Sequence, residues 1–163
     1  MTARIKLIEL IAGLNSYLEH GYVNANSYED PSDDAIDYLG ELLLKDSECC
    51  LNFCIEILNV NLLHSEPVKS TALDFLMLSE SNWQDAFDYL LNKTEALSIP
   101  ELEKALFYFY CAQNEPKPYP VPEGLFEKLV GRYQVLKTEP DANFYHLHET
   151  YNDFVKAYSL KFD

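Results

Sequence analysis

The sequence predicts an all-α protein: a single domain over 1–163 of about seven or eight helices in irregular antiparallel hairpins, HEAT-like or bundle. Three observations carry this. Only five glycines and no Asn-Gly or Asp-Gly pair occur, so a sheet built on tight hairpins is disfavoured. Leu, Glu, Ala and Lys fill long runs with apolar residues at helical spacing. Helix-start signals recur along the chain. A length of 163 residues suits about one domain, and 48% hydrophobic residues place it among globular chains.

The first element is MTARIKLIELIAGLNSYL. Early positive charges before apolar residues resemble a signal peptide, but Glu9 interrupts the run and no convincing small-x-small cleavage site follows. Leu7, Ile11, Leu14 and Leu18 instead share one helical stripe. No apolar run approaches the roughly 18 residues of a membrane span, so a cytoplasmic protein is expected.

Next comes EDPSDDAIDYL, Glu29–Leu39, with five carboxylates in eleven residues. Ser32 or Asp33 is the expected cap of a helix running to about Lys45, and Ser47 that of a helix to about Leu63. Ser65-Glu66-Pro67 opens another, and Ser81 or Asn82 the next. Ser98 and Pro100 precede ELEKALFYFYCAQ; its apolar end suits a buried strand, but ELEKA is strongly helix-forming and no turn signal intervenes, so helix is expected throughout. In NEPKPYPVPE, 114–123, prolines at alternate positions exclude helix and predict an extended internal connector. Two helices follow, roughly Pro122–Lys137 and Asp141–Leu160. The last shows Phe144, Leu147, Tyr151, Phe154 and Tyr158 on one stripe. A faint repeat joins Ala35-Ile36-Asp37-Tyr38-Leu39 to Ala72-Leu73-Asp74-Phe75-Leu76, 37 residues on, and to Ala105-Leu106-Phe107-Tyr108-Phe109, 33 further. Ala86-Phe87-Asp88-Tyr89-Leu90 matches out of phase. The intervals suit HEAT-type helical pairs, and equally a chance likeness among Ala-, Leu- and aromatic-rich helices.

The charge of −15, from 27 acids against 12 bases, opposes contact with nucleic acid or anionic membrane and favours a cationic partner, or simply serves solubility. Cys49, Cys50, Cys54 and Cys111 have apolar flanks and no CxxC, and read as buried free thiols. An EF-hand starting at Asp30 fails at its sixth position, Ala35, where glycine is required. His146 and His148 differ by two positions and diverge on a helix; His20 and His64 fall at expected helix ends. HEXXH, GxSxG, Walker-type and GxGxxG motifs are absent. Nothing in the sequence points to catalytic, cofactor or metal-binding residues.

On a helix, Ala35, Ile36, Leu39, Leu42 and Leu43 share one face, with Asp33, Asp34, Asp37 and Glu41 opposite and Tyr38 on the margin. Asp33 and Asp34 favour the positive helix end by about 0.3–1 kcal/mol each. Asp37 and Glu41 lie past that turn, four residues apart, where like charges repel. Paired carboxylates acting as acid and base need an enclosed cleft, which an exposed helix face does not offer. Of the twelve tyrosines, Tyr22, Tyr28, Tyr38, Tyr119 and Tyr145 lie in polar surroundings, and Tyr suits protein interfaces. The expected partner-binding residues are therefore Tyr28, Glu29, Asp30, Asp33, Asp34, Asp37, Tyr38 and Glu41, with a solvated face as the plain alternative.

In size, acidity, absence of catalytic motifs and helical hairpins such as DDAIDYLGELLLKDSECCLNFCIEIL, the chain resembles the all-helical immunity proteins of bacterial contact-dependent growth inhibition. That resemblance implies a cytoplasmic protein, not an enzyme, binding one cognate toxin domain one to one. The toxin would be basic and commonly a nuclease, blocked at its active site or its substrate approach. A HEAT-like adaptor for an endogenous protein and an all-helical enzyme of unfamiliar type remain alternatives.

Overall fold

The computed structural model describes residues 5–112 and 121–162. Among these residues are nine α-helices, one short 3-10 turn and no strand, so the chain is all-α. Most of the expected proline-rich connector, including Tyr119, lies outside the described residues; Val121 is buried and Pro122 extended where the chain enters the next helix. The helices fall into two compact units, Met1–Leu76 and Met77–Asp163.

The first unit holds α1 (Leu7–His20), α2 (Pro31–Lys45), α3 (Ser47–Asn59) and most of α4 (Glu66–Leu78). Helix α1 stops at Gly21, whose φ of 83° suits a residue without Cβ; its N–H bonds the Tyr17 carbonyl at 2.8 Å. Helix α2 is capped by Asp30, not by Ser32 or Asp33. Pro31 has no N–H to satisfy and its fixed φ suits the first helical position, which puts the cap at Asp30, two residues before Ser32. Ser32 is buried instead, and its hydroxyl donates to the His64 carbonyl at 3.0 Å, tying α2 to the loop before α4. Asp46 both ends α2 and starts α3: its N–H bonds the Leu42 carbonyl at 2.7 Å and its carboxylate accepts from the Cys49 N–H at 3.1 Å. Ser47 is thus the first residue of α3 rather than its cap, and α3 ends at Asn59, short of Leu63, because Val60 turns extended.

Helix α2 packs against α1 and α3, which also touch each other. Leu10, Leu14 and Tyr17, Ala35, Leu39 and Leu42, and Cys50, Cys54 and Ile57 form the shared core. Each large apolar side chain buried there contributes about 1.5–3 kcal/mol.

The second unit holds α5 (Trp83–Lys93), the 3-10 turn (Thr94–Ala96), α6 (Ile99–Cys111), α7 (Glu123–Leu136), α8 (Asp141–Phe144) and α9 (Leu147–Phe162). Helix α6 is its centre and packs on α7 and α9. A capping box starts it: the Glu101 N–H bonds the Ser98 hydroxyl, and the Glu101 carboxylate accepts from the Ser98 N–H. Ile99, Leu102, Ala105, Leu106, Tyr108 and Phe109 are then buried, so the aromatic run is helix, as the ELEKA segment predicts. Phe87 of α5 meets the rings of Trp83, Tyr108 and Phe109.

One helix was expected over 141–160; the structure breaks it. His146 adopts φ 57°, and its N–H bonds the Asn143 carbonyl at 3.2 Å in a turn between α8 and α9. The left-handed residue resets the helical phase. Leu147, Phe154 and Tyr158 become fully buried, Tyr151 stacks on Tyr133 with centroids 3.6 Å apart, and Phe144 leaves the stripe, 75% exposed. The Ala-x-x-x-Leu/Phe pairs 35/39, 72/76, 86/90 and 105/109 are all fully buried, in or out of phase. The pattern therefore marks the core-facing turn of a helix whichever interval it falls in.

All four cysteines are free. Cys50 and Cys54 are buried, Cys49 is half-buried, and Cys111 is exposed, contrary to the expectation of burial. It lies four residues past exposed Phe107, on the outward stripe of α6.

Candidate functional site

The acidic stretch divides its carboxylates between structure and surface. Asp30 belongs to the helix: its Oδ1 accepts from the Ser32 N–H at 2.8 Å. Tyr28 and Glu29 precede it in the loop, with Tyr28 fully exposed and the Glu29 N–H donating to the Ser27 hydroxyl at 3.1 Å. Asp33 and Asp37 are exposed on α2, while Asp34 and Glu41 are half-buried beside Tyr38.

Tyr38 is more than a surface ring. It rests on Gly13 of α1, where a Cβ would stand 2.4 Å from Cε2 and 2.8 Å from Cδ2. Gly13 is required at this crossing because it lets α1 meet the ring. Burial pushes the Tyr38 hydroxyl pKa up, and Asp34, Glu9 and Glu41 push it further. These three carboxylates, from two helices, thus share one field at the phenol. Among the described residues, no Lys or Arg lies within ion-pair range of Glu9, Asp33, Asp34, Asp37 or Glu41. A second part of the field surrounds Tyr17, whose pKa rises to about 12 through burial first, then Glu66 and Asp30.

The structure therefore gathers Asp34, Tyr38 and Glu41, leaves Asp33 and Asp37 outward on the same helix, and adds Glu9, which in the sequence stands out only as a break in an apolar run. Its place in the site comes from the helix crossing: Glu9 stands one turn before Gly13, on the stripe of α1 that meets Tyr38. Of the other tyrosines expected at an interface, Tyr145 is half-buried after α8, edge-on to Phe144 at 4.9 Å, and the Tyr22 carbonyl accepts from the Ser16 hydroxyl at 2.8 Å.

What this surface can do is electrostatic. Clustered, unpaired carboxylates repel one another, and an approaching cationic surface relieves that repulsion. Among the described residues, no three His, Cys, Asp or Glu side chains are grouped to hold a metal, and no helix is long and apolar enough to cross a membrane. Compared with known protein families and with curated proteins, the chain finds no match.

Proposed function

We propose that this protein binds and neutralises a basic toxin domain, a nuclease by the charge argument, through the acidic face of α2. This is the role implied by its resemblance to contact-dependent growth inhibition immunity proteins. The observation that carries the reading is that Glu9, Asp34 and Glu41 act together on Tyr38 with, among the described residues, no Lys or Arg in ion-pair range of them. Helix capping accounts for Asp30, and the helix dipole for Asp33 and Asp34 of α2 and for Glu9 in the first turn of α1, but neither accounts for Asp37 or Glu41. A nuclease site, shaped to hold phosphate, presents the complementary charge. The protein acts in the cytoplasm as a monomer, binds its toxin one to one, and performs no catalysis.

The test is the rate of association with the toxin domain encoded beside its gene, measured by surface plasmon resonance. Replacing Asp33, Asp34 and Asp37 together by Asn slows association and flattens its salt dependence, with little change in dissociation. Wild-type association of that variant at low salt removes the acidic face from the interface. A pull-down from the host that returns a housekeeping complex and no toxin favours the adaptor reading instead.

A further inference from the structure

The second unit contains a cavity of about 480 Å³ lined by Thr94, Glu95, Lys128, Gly131, Arg132 and Val135. Lys128 and Arg132 stand one turn apart on α7, where like charges repel unless something stabilises them. Each is held by a backbone carbonyl near the 3-10 turn. Arg132 donates Nε and Nη2 to the Leu97 carbonyl at 2.9 and 2.8 Å, and Lys128 Nζ donates to the Leu91 carbonyl at 3.2 Å. These bonds fix both cations without neutralising either.

A guanidinium carries five N–H groups and an ammonium three, so most of their donors remain for another acceptor. Among the described residues, no carboxylate lies within ion-pair range of either side chain, although Glu95 lines the same cavity. In a chain of 27 acids and 12 bases, two anchored cations without a carboxylate are out of keeping with the composition.

We infer that this cavity binds a small organic monocarboxylate, with Lys128 and Arg132 holding the carboxylate and Gly131 and Val135 bordering its apolar body. Several features select this class. The paired cations call for an anion, and charge-assisted bonds to Arg and Lys are the strong kind. The net charge of −15 and Glu95 on the wall oppose a multiply charged ligand. Open space above Gly131, where a Cβ would meet nothing within 4 Å, and Val135 at 61% exposure provide room and an apolar flank. The volume falls in the range of about 300–1,000 Å³ usual for small-molecule sites. The inference concerns the second unit alone and does not depend on the reading of α2.

Benzoate, its neutral isostere benzamide, and inorganic phosphate, titrated at constant ionic strength into ¹⁵N-labelled protein, test it. Benzoate is expected to shift the amides of Thr94, Glu95, Gly131 and Val135 saturably, with benzamide at least about 10-fold weaker. Lys128→Met weakens benzoate binding about 10-fold while the spectrum stays dispersed. Val135→Glu, which keeps both anchoring bonds, abolishes it by placing a carboxylate at the site. Non-saturating benzoate shifts, benzamide binding as well as benzoate, or wild-type affinity in Lys128→Met or Val135→Glu would each overturn the site. Phosphate binding more tightly than benzoate overturns the monocarboxylate assignment.

Discussion

The two units draw on the same residue types and use them in opposite directions. Met1–Leu76 carries thirteen acids against four bases, and Met77–Asp163 fourteen against eight. In the second unit, polar groups tie helices together. The Tyr158 hydroxyl donates to the Phe109 carbonyl at 2.6 Å, Tyr133 meets His148 Nδ1 at 2.6 Å, Thr150 donates to Glu103 at 3.2 Å, and Tyr89 donates to buried Glu101. In the first unit, the carboxylates around Tyr38 have no such employment, and the helices are held by apolar packing with few cross-links. Tyrosine and acid content thus signal an interface only where the side chains are not already engaged inside. Eight of the twelve tyrosines belong to the second unit, and Tyr108, Tyr133 and Tyr158 are buried there.

The contrast breaks most readily at Tyr158, which is fully buried and also accepts from the Val121 N–H at 3.4 Å. Tyr158→Ala should cost about 3–5 kcal/mol of stability in urea titrations. Tyr158→Phe isolates the hydroxyl and should cost about 1–3 kcal/mol by leaving buried backbone groups short of a partner. A neutral Tyr158→Phe would show that polar ties do not hold the second unit.

The matching test in the first unit is steric. Gly13→Ala brings a methyl against the Tyr38 ring and within 2.8 Å of Val23 Cγ1, and should cost about 1–3 kcal/mol. Tyr38→Leu in the same chain should return part of that loss, which a double-mutant cycle reads directly. Additive losses would mean that the ring does not bear on Gly13.

Alkaline pH sharpens the comparison at Tyr17. Its folded pKa of about 12 lies above its ordinary value of 10.0, so the folded state holds the proton more tightly. That contribution is intact below about pH 10 and is lost as pH rises toward 12. Melting temperature should fall across this window, and Tyr17→Phe should reduce the fall. Burial raises Tyr89 and Tyr158 in the same direction, so the part that Tyr17→Phe leaves behind includes the second unit's contribution. The smallest effect is expected at Cys111, whose exposure should allow maleimide to label the native chain at one rapid equivalent, removed by Cys111→Ser without measurable loss of stability.

Helix identity was legible wherever caps and apolar spacing agreed, as at Ser98 and along α2. The misplaced starts of α2 and α3 share one cause: several neighbouring residues can cap, and backbone geometry decides among them. Pro31 settled it for Asp30, and a one-residue connection settled it for Asp46. The break at His146 was hidden because an unbroken apolar stripe and a phase-shifted one differ only in where Phe144 falls. At the acidic site, the residues of α2 were readable from one helix. Glu9, Gly13 and the bearing of Tyr38 on α1 arise from a helix crossing, which no local pattern encodes. The cavity beside α7 was illegible for the same reason, since Thr94 and Arg132 meet only through the fold.

Trp83, the sole tryptophan, stands edge-on to Phe87 at 4.9 Å in the second unit. Its fluorescence is therefore a local reporter of that aromatic cluster, while circular dichroism sums helices from both units. Coincident unfolding curves from the two signals would mean that the units melt as one cooperative body, and separated curves would resolve two.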